Sequence, residues 1–197
     1  MGKTTIAALL ARQFASAGAE TLAVDCDPNP TLPEELGHSS AGLRRFGADS
    51  LRPAAGTLEL AREPEFLRVG PHLQLLGGPA SDTPLADAVA RGITGVLLAP
   101  RFDFVVTDLG AGPELTRVAV GGVLNPADLC FVLSDGRPVA ELTADRIEAA
   151  CKLRQVPCSR VLNRRGDAPA VAAELAVMVR GVRQSDQVAD SVRHPSK

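Results

Sequence analysis

The chain has 197 residues, with 21 lysines and arginines against 23 aspartates and glutamates for a formal net charge of -2, which excludes a disordered polyelectrolyte and a uniformly basic nucleic-acid coat. Hydrophobic residues make up 45% and aromatic residues only 3%, all phenylalanine, so the length supports one compact domain, while an aromatic platform for single strands and a Trp and Tyr membrane belt are both excluded. The longest apolar runs, such as Ile93 to Pro100, are broken by Gly or Pro and stay far below the ~20 residues of a membrane helix.

Along the chain, Ile6, Leu9, Leu10 and Phe14 recur at helical spacing and Gly18 follows as a left-handed end, predicting a helix over 3–17. Residues 21–25, Thr-Leu-Ala-Val-Asp, form a short apolar run ending in an acid, the pattern of a buried strand with polar function at its carboxyl end. Residues 37–71 are turn-rich and poorly periodic, and read as a surface excursion. The strand pattern returns at 102–108, 129–134 and 158–163, separated by helical patterns near 84–98, 138–153 and 169–180. Residues 183–197 are polar without an apolar stripe and read as a frayed tail, leaving 1–182 as the domain.

This alternation predicts an α/β, doubly wound, mostly parallel sheet with helices on both faces. Ligands of such sheets sit outside the carboxyl ends of the strands, so Asp25, Asp108 and Asn163 are expected at one edge. The four cysteines, Cys26, Cys130, Cys151 and Cys158, show no paired short spacing. They read as packing residues of a protein in a reducing cytoplasm, and neither they nor the scattered His38, His72 and His194 suggest a metal site.

Gly2-Lys3-Thr4-Thr5, opening the first helix, has the form of the second half of a phosphate-binding loop. In such loops backbone N–H groups curl around phosphates, the lysine pairs with β- and γ-phosphate oxygens, and the following hydroxyl ligates Mg²⁺. A nucleotide site also needs carboxylates for the cation and for water. These motifs follow in order as Val24-Asp25-Cys26-Asp27-Pro28 and as Asp108-Leu109-Gly110-Ala111-Gly112.

Together these segments resemble the deviant Walker A P-loop ATPases, the superfamily of MinD, ParA, the nitrogenase iron protein and the CooC nickel-insertion ATPases. The resemblance implies ATP and Mg²⁺ as cofactors, with Gly2, Lys3, Thr4 and Thr5 in the phosphate loop and Lys3 assisting hydrolysis. It assigns Asp27 to the attacking water, Asp25 and Asp108 with Thr4 to the cation, the amide of Gly112 to the γ-phosphate, and Asn163 to the base, flanked by Arg164 and Arg165. It also implies a nucleotide-sandwich homodimer.

Relative to the family pattern K-G-G-x-G-K-T-T, the first strand and the signature lysine are missing ahead of Gly2. The expectation that follows is a misassigned start, with a native chain extending roughly 10 to 15 residues upstream. Three destinations follow from the resemblance: a metalloenzyme-maturation ATPase, a MinD-like or ParA-like positioning ATPase, or a catalytically impaired interaction module. The sequence carries no amphipathic membrane-targeting helix and no strong nucleic-acid stripe.

Overall fold

A computed structural model describes residues 2–27, 29–46, 50–54, 57–60, 64–78, 86–110, 126–163 and 167–193. The first helix, α1 (Lys3–Ser16), contains neither Gly nor Pro and ends where Gly18 adopts φ +85°. Its buried residues, Ile6, Ala7, Ala8, Leu10, Ala11 and Phe14, span more than one stripe because the helix is covered on two sides. The chain then enters β1 (Thr21–Asp25), buried at all five positions.

The strand β1 is central because both its edges are paired. It lies parallel to β5 (Leu73–Gly77) on one side and parallel to β6 (Phe104–Asp108) on the other, while β4 (Leu67–Gly70) adds antiparallel to β5. The order is β4-β5-β1-β6. A second parallel pair, β7 (Cys130–Ser134) and β8 (Cys158–Leu162), is joined through the crossover helix α4 (Pro138–Leu153). Among the described residues, the outer edges of β6 and β7 carry no strand partner.

Alternation along β1 divides the core between two layers. Leu22 and Val24 pack with Leu76 against Ile93, Val96 and Leu97 of α3 (Ala86–Leu97), whereas Ala23 and Leu75 meet Ala7, Ala8 and Ala11 of α1. On its other side, α1 presents Ile6, Leu10 and Phe14 to Val171, Ala172, Leu175 and Ala176 of α5 (Ala168–Arg193). The same cluster takes in Phe104 and Val106 of β6 together with Phe131 and Leu133 of β7. These two helices therefore tie the larger sheet to the smaller one, and Phe14 stacks on Phe104 with ring centroids 4.0 Å apart.

The α/β architecture, mostly parallel with helices on both faces, agrees with the sequence reading, but three local expectations need correction. Residues 37–71 are more than an excursion: they follow the short turn α2 (Leu32–Glu35) and hold an antiparallel hairpin of β2 (Leu51–Ala54) and β3 (Thr57–Leu60) and the edge strand β4. The neighbouring strand β5, absent from the sequence reading, is the immediate partner of β1. Finally, α5 continues to Arg193 through the segment expected to fray, since no proline interrupts it before Pro195.

Candidate functional site

The carboxyl ends of β1 and β6 set two acids side by side, because the parallel register aligns Asp25 directly with Asp108. The strands are held level beyond that point by the amide of Cys26 donating to the carbonyl of Asp108 at 2.9 Å. Both carboxyl groups are buried. Their surroundings differ sharply.

Asp25 organises the loop that follows it. Its Oδ1 accepts from the amide of Asp27 and its Oδ2 from the amide of Leu32, each at 3.0 Å, so the acid caps the first turn of α2 and folds the loop over the strand end. Burial still raises its pKa, opposed by these two amides and by the positive charge of Arg45. Asp27 is held in turn, with its Oδ1 accepting from the amide of Asn29 at 2.9 Å.

Asp108 has no comparable support, and its Oδ2 is buried without a hydrogen-bond partner among the described residues. Burial pushes its pKa up to about 6; the neighbouring charges of Asp25 and Asp27 act in the same direction, while the Thr4 hydroxyl and Lys3 oppose them. The amino end of α1 thus stands over the acid pair. Thr4 Oγ1 also accepts from the Thr31 hydroxyl at 3.5 Å, and the Thr5 hydroxyl donates to Glu35 Oε1 at 3.1 Å.

Gly2 begins α1 in the left-handed region, at φ +73°. A Cβ there would lie 3.0 Å from Nδ2 of Asn163, so the end of β8 reaches the start of α1. The amide of Asn163 donates to the carbonyl of Ser134 at 2.8 Å, which keeps the ends of β7 and β8 together. The geometry therefore gathers Gly2, Lys3, Thr4, Asp25, Asp27, Asp108 and Asn163 at one edge of the fold, with Thr5 turned toward α2. Gly112, Arg164 and Arg165 lie outside the described residues.

Arg45 is a contributor that the sequence reading missed. Its guanidinium donates to the carbonyl of Asp27 at 2.8 Å and to that of Gly78 at 3.2 Å, clamping the loop after β1 to the segment after β5. Gly77 and Gly78 permit this close approach, since a Cβ on Gly77 would lie 2.7 Å from the Arg44 carbonyl oxygen and one on Gly78 would meet Cys26 Sγ. Spacing could not reveal Arg45, which comes from a segment without periodicity.

The cysteines require a further correction. Cys26 is buried, with its thiol pushed up to about 12 by burial and by Asp25, consistent with packing. Cys130, Cys151 and Cys158, in contrast, bring their Sγ atoms within 4.8 Å of one another. Their long sequence separation concealed the grouping, which arises because a crossover helix returns to the starts of the two strands it joins.

Comparison with known proteins agrees with this architecture. The sequence profile of the CobQ/CobB/MinD/ParA nucleotide binding domain matches residues 1–192. Among solved structures, the MinD cell division protein of Aquifex aeolicus is similar with a TM-score of 0.60 at 19% identity, covering 83% of this chain and 64% of its own. This chain therefore spans 64% of the length of that protein. A ParA family ATPase from Chlorobium tepidum TLS matches over 99% of this chain and 93% of its own, with 15% identity and a TM-score of 0.54. Cobyrinic acid a,c-diamide synthase from Mycobacterium smegmatis, solved with ADP and magnesium, matches over 91% and 77% respectively, with 17% identity and a TM-score of 0.53. No curated protein matches the chain in sequence. No helix among the described residues is long and apolar enough to cross a membrane.

Proposed function

The chain belongs to the CobQ/CobB/MinD/ParA family of nucleotide-binding domains, and from that premise we propose that it acts as a Mg²⁺-dependent ATPase whose nucleotide site is the edge formed by α1, β1, β6 and β8. The observation that carries this reading is the buried Oδ2 of Asp108, unpartnered among the described residues, beside Thr4 and Lys3. An orphaned carboxylate oxygen is costly unless a cation or donor completes it. Carboxylate and hydroxyl oxygens suit a hard ion that retains part of its water shell, so the donor set fits Mg²⁺.

In this reading Thr4 and Asp108 hold the cation, directly or through its water, and Lys3 neutralises the terminal phosphates. Asp25 adds negative charge and fixes the loop that carries Asp27. Asp27 orients the attacking water, and its position is set by Asn29 and Arg45. Asn163 offers one donor pair and one acceptor to a base edge, with Gly2 leaving room beside it. Mg²⁺, when bound, would supply charge neutralisation to the phosphates. The coupled event is formation of a homodimer, with Gly112 meeting the γ-phosphate. The client is a positioning partner or a metalloenzyme undergoing maturation.

A second reading is a nucleotide-fold interaction module with impaired catalysis. It is supported by the outer edges of β6 and β7, which have no strand partner among the described residues and can accept an added strand. Titration of ATP and ADP into the purified chain, with and without Mg²⁺, separates the readings when combined with phosphate release. Mg²⁺-dependent binding that is lost in Asp108→Asn and Lys3→Ala supports the nucleotide site, and turnover supports the ATPase. Absence of nucleotide binding in the folded chain overturns the ATPase in favour of the module.

A further inference from the structure

The unit β7-α4-β8 has chemistry at both ends. Ser134 and Asn163 lie at the carboxyl ends of its strands, toward the nucleotide edge, whereas Cys130 and Cys158 open the same strands at the remote end. Parallel register makes Cys130 and Cys158 direct partners. Cys151 comes from the last turn of α4 and is fully buried. The turn between α4 and β8 is tightly held, with the amides of Arg154 and Val156 both donating to the Cys151 carbonyl at 3.0 Å and Gln155 at φ +59°. The amide of Cys130 donates to the Pro157 carbonyl at 2.9 Å, fixing the start of β7 against this turn.

The surroundings of the thiols are apolar, with Ala127, Ile147, Ala150 and Val156 packed around them. The nearest acid on the helix, Glu148, faces the other way chemically, because both its oxygens accept from Arg160 at 2.7 Å. Among the described residues, the group that can converge on one ion is therefore three sulfurs with no oxygen or imidazole. Zinc sites ordinarily complete four ligands, and hard ions require oxygen. Three soft sulfur donors, one of them fully buried and two half-buried in apolar surroundings, suit a monovalent d¹⁰ ion, which accepts trigonal thiolate coordination.

We propose that Cys130, Cys151 and Cys158 form a three-thiolate binding site for a soft monovalent cation of the Cu(I) class, at the end of the fold remote from the nucleotide edge. Binding exchanges thiol protons for the metal and involves no change of oxidation state at sulfur. The site stands independently of nucleotide chemistry.

The test uses the full chain, fully reduced and free of oxygen, titrated with Cu(I) against a chromophoric chelator. The expected result is one tightly held ion per chain, with three sulfur neighbours by X-ray absorption. Cys151→Ser and Cys158→Ser should each weaken binding by more than the ~100-fold that loss of a merely supporting group causes, while Cys26→Ser leaves it unchanged. The absorption measurement on the unmodified chain keeps the test valid if Cys151→Ser fails to fold. Two or fewer sulfur neighbours, equal affinity after Cys26→Ser and Cys158→Ser, or failure to compete with the chelator would each overturn the proposal.

Discussion

Asp25 and Asp108 occupy the same register level on adjacent parallel strands, yet one has both oxygens engaged by backbone amides and the other has an oxygen without a partner among the described residues. The pair divides labour accordingly. Asp25 shapes the loop, and Asp108 keeps an unspent acceptor in a buried place. An unspent buried charge weakens a fold when nothing is bound, and the predictions below start from that cost.

Asp108 titrates near 6 in the folded chain against an ordinary value of 3.8. A raised folded pKa means that its contribution to stability is fully present below the unfolded value and is lost as pH rises through about 6. The loss is on the order of 3 kcal/mol at most. Asp108→Asn should therefore unfold at higher denaturant than the parent near neutral pH, with the advantage shrinking toward about pH 4. Paired urea titrations across that range check this, and a difference that does not vary with pH would refute the burial argument.

Lys3 is expected to act on phosphate and hardly at all on the fold. One charge-assisted hydrogen bond is worth about 1.5 to 3 kcal/mol, so Lys3→Ala should weaken ADP binding by roughly 10- to 100-fold with little change in melting temperature. Calorimetric titration alongside thermal melts distinguishes this from general destabilisation.

Gly2 combines a left-handed backbone with a 3.0 Å approach to Asn163. Gly2→Ala is expected to cost about 1 to 2 kcal/mol through backbone strain. It should also displace the Asn163 amide, discriminating against adenine nucleotides more than against inorganic triphosphate. Comparative binding of the two ligands measures this second effect, and equal losses would place the role of Gly2 in the phosphate loop alone.

Arg45 joins two loops through carbonyl contacts at Asp27 and Gly78. Replacing it with methionine keeps much of the stem and removes the donors. Hydrogen exchange at the amides of Asp27 and Leu32 should accelerate, by up to roughly 100-fold if a charged hydrogen bond of about 3 kcal/mol is lost. Exchange in β5 should stay unchanged. Uniform acceleration across the sheet would instead mean that Arg45 supports global stability.

Much of the candidate site is legible in the sequence because its residues terminate recognisable elements. Asp25 and Asp108 end apolar strands, and Lys3 and Thr4 open an apolar helix, so position in the pattern and chemical type coincide. The strand β5 was harder to read: Leu73-Gln-Leu-Leu-Gly follows a turn-rich stretch and has little alternation, since its neighbours bury it on both faces. Arg45 depends on where a non-periodic loop returns. The thiol trio depends on register and crossover, which are tertiary properties with no short spacing to betray them.

The pairing of α1 with α5 also orders events during synthesis. Ile6, Leu10 and Phe14 are made early, whereas Val171, Ala172 and Leu175 that cover them are made late. A nascent chain lacking α5 leaves that apolar flank of α1 uncovered, together with the seam between the two sheets. Closing such distant contacts is slow and exposes sticky surface in the meantime. Helix α5 consequently serves as a clasp on α1, and that seam closes only once α5 has left the ribosome.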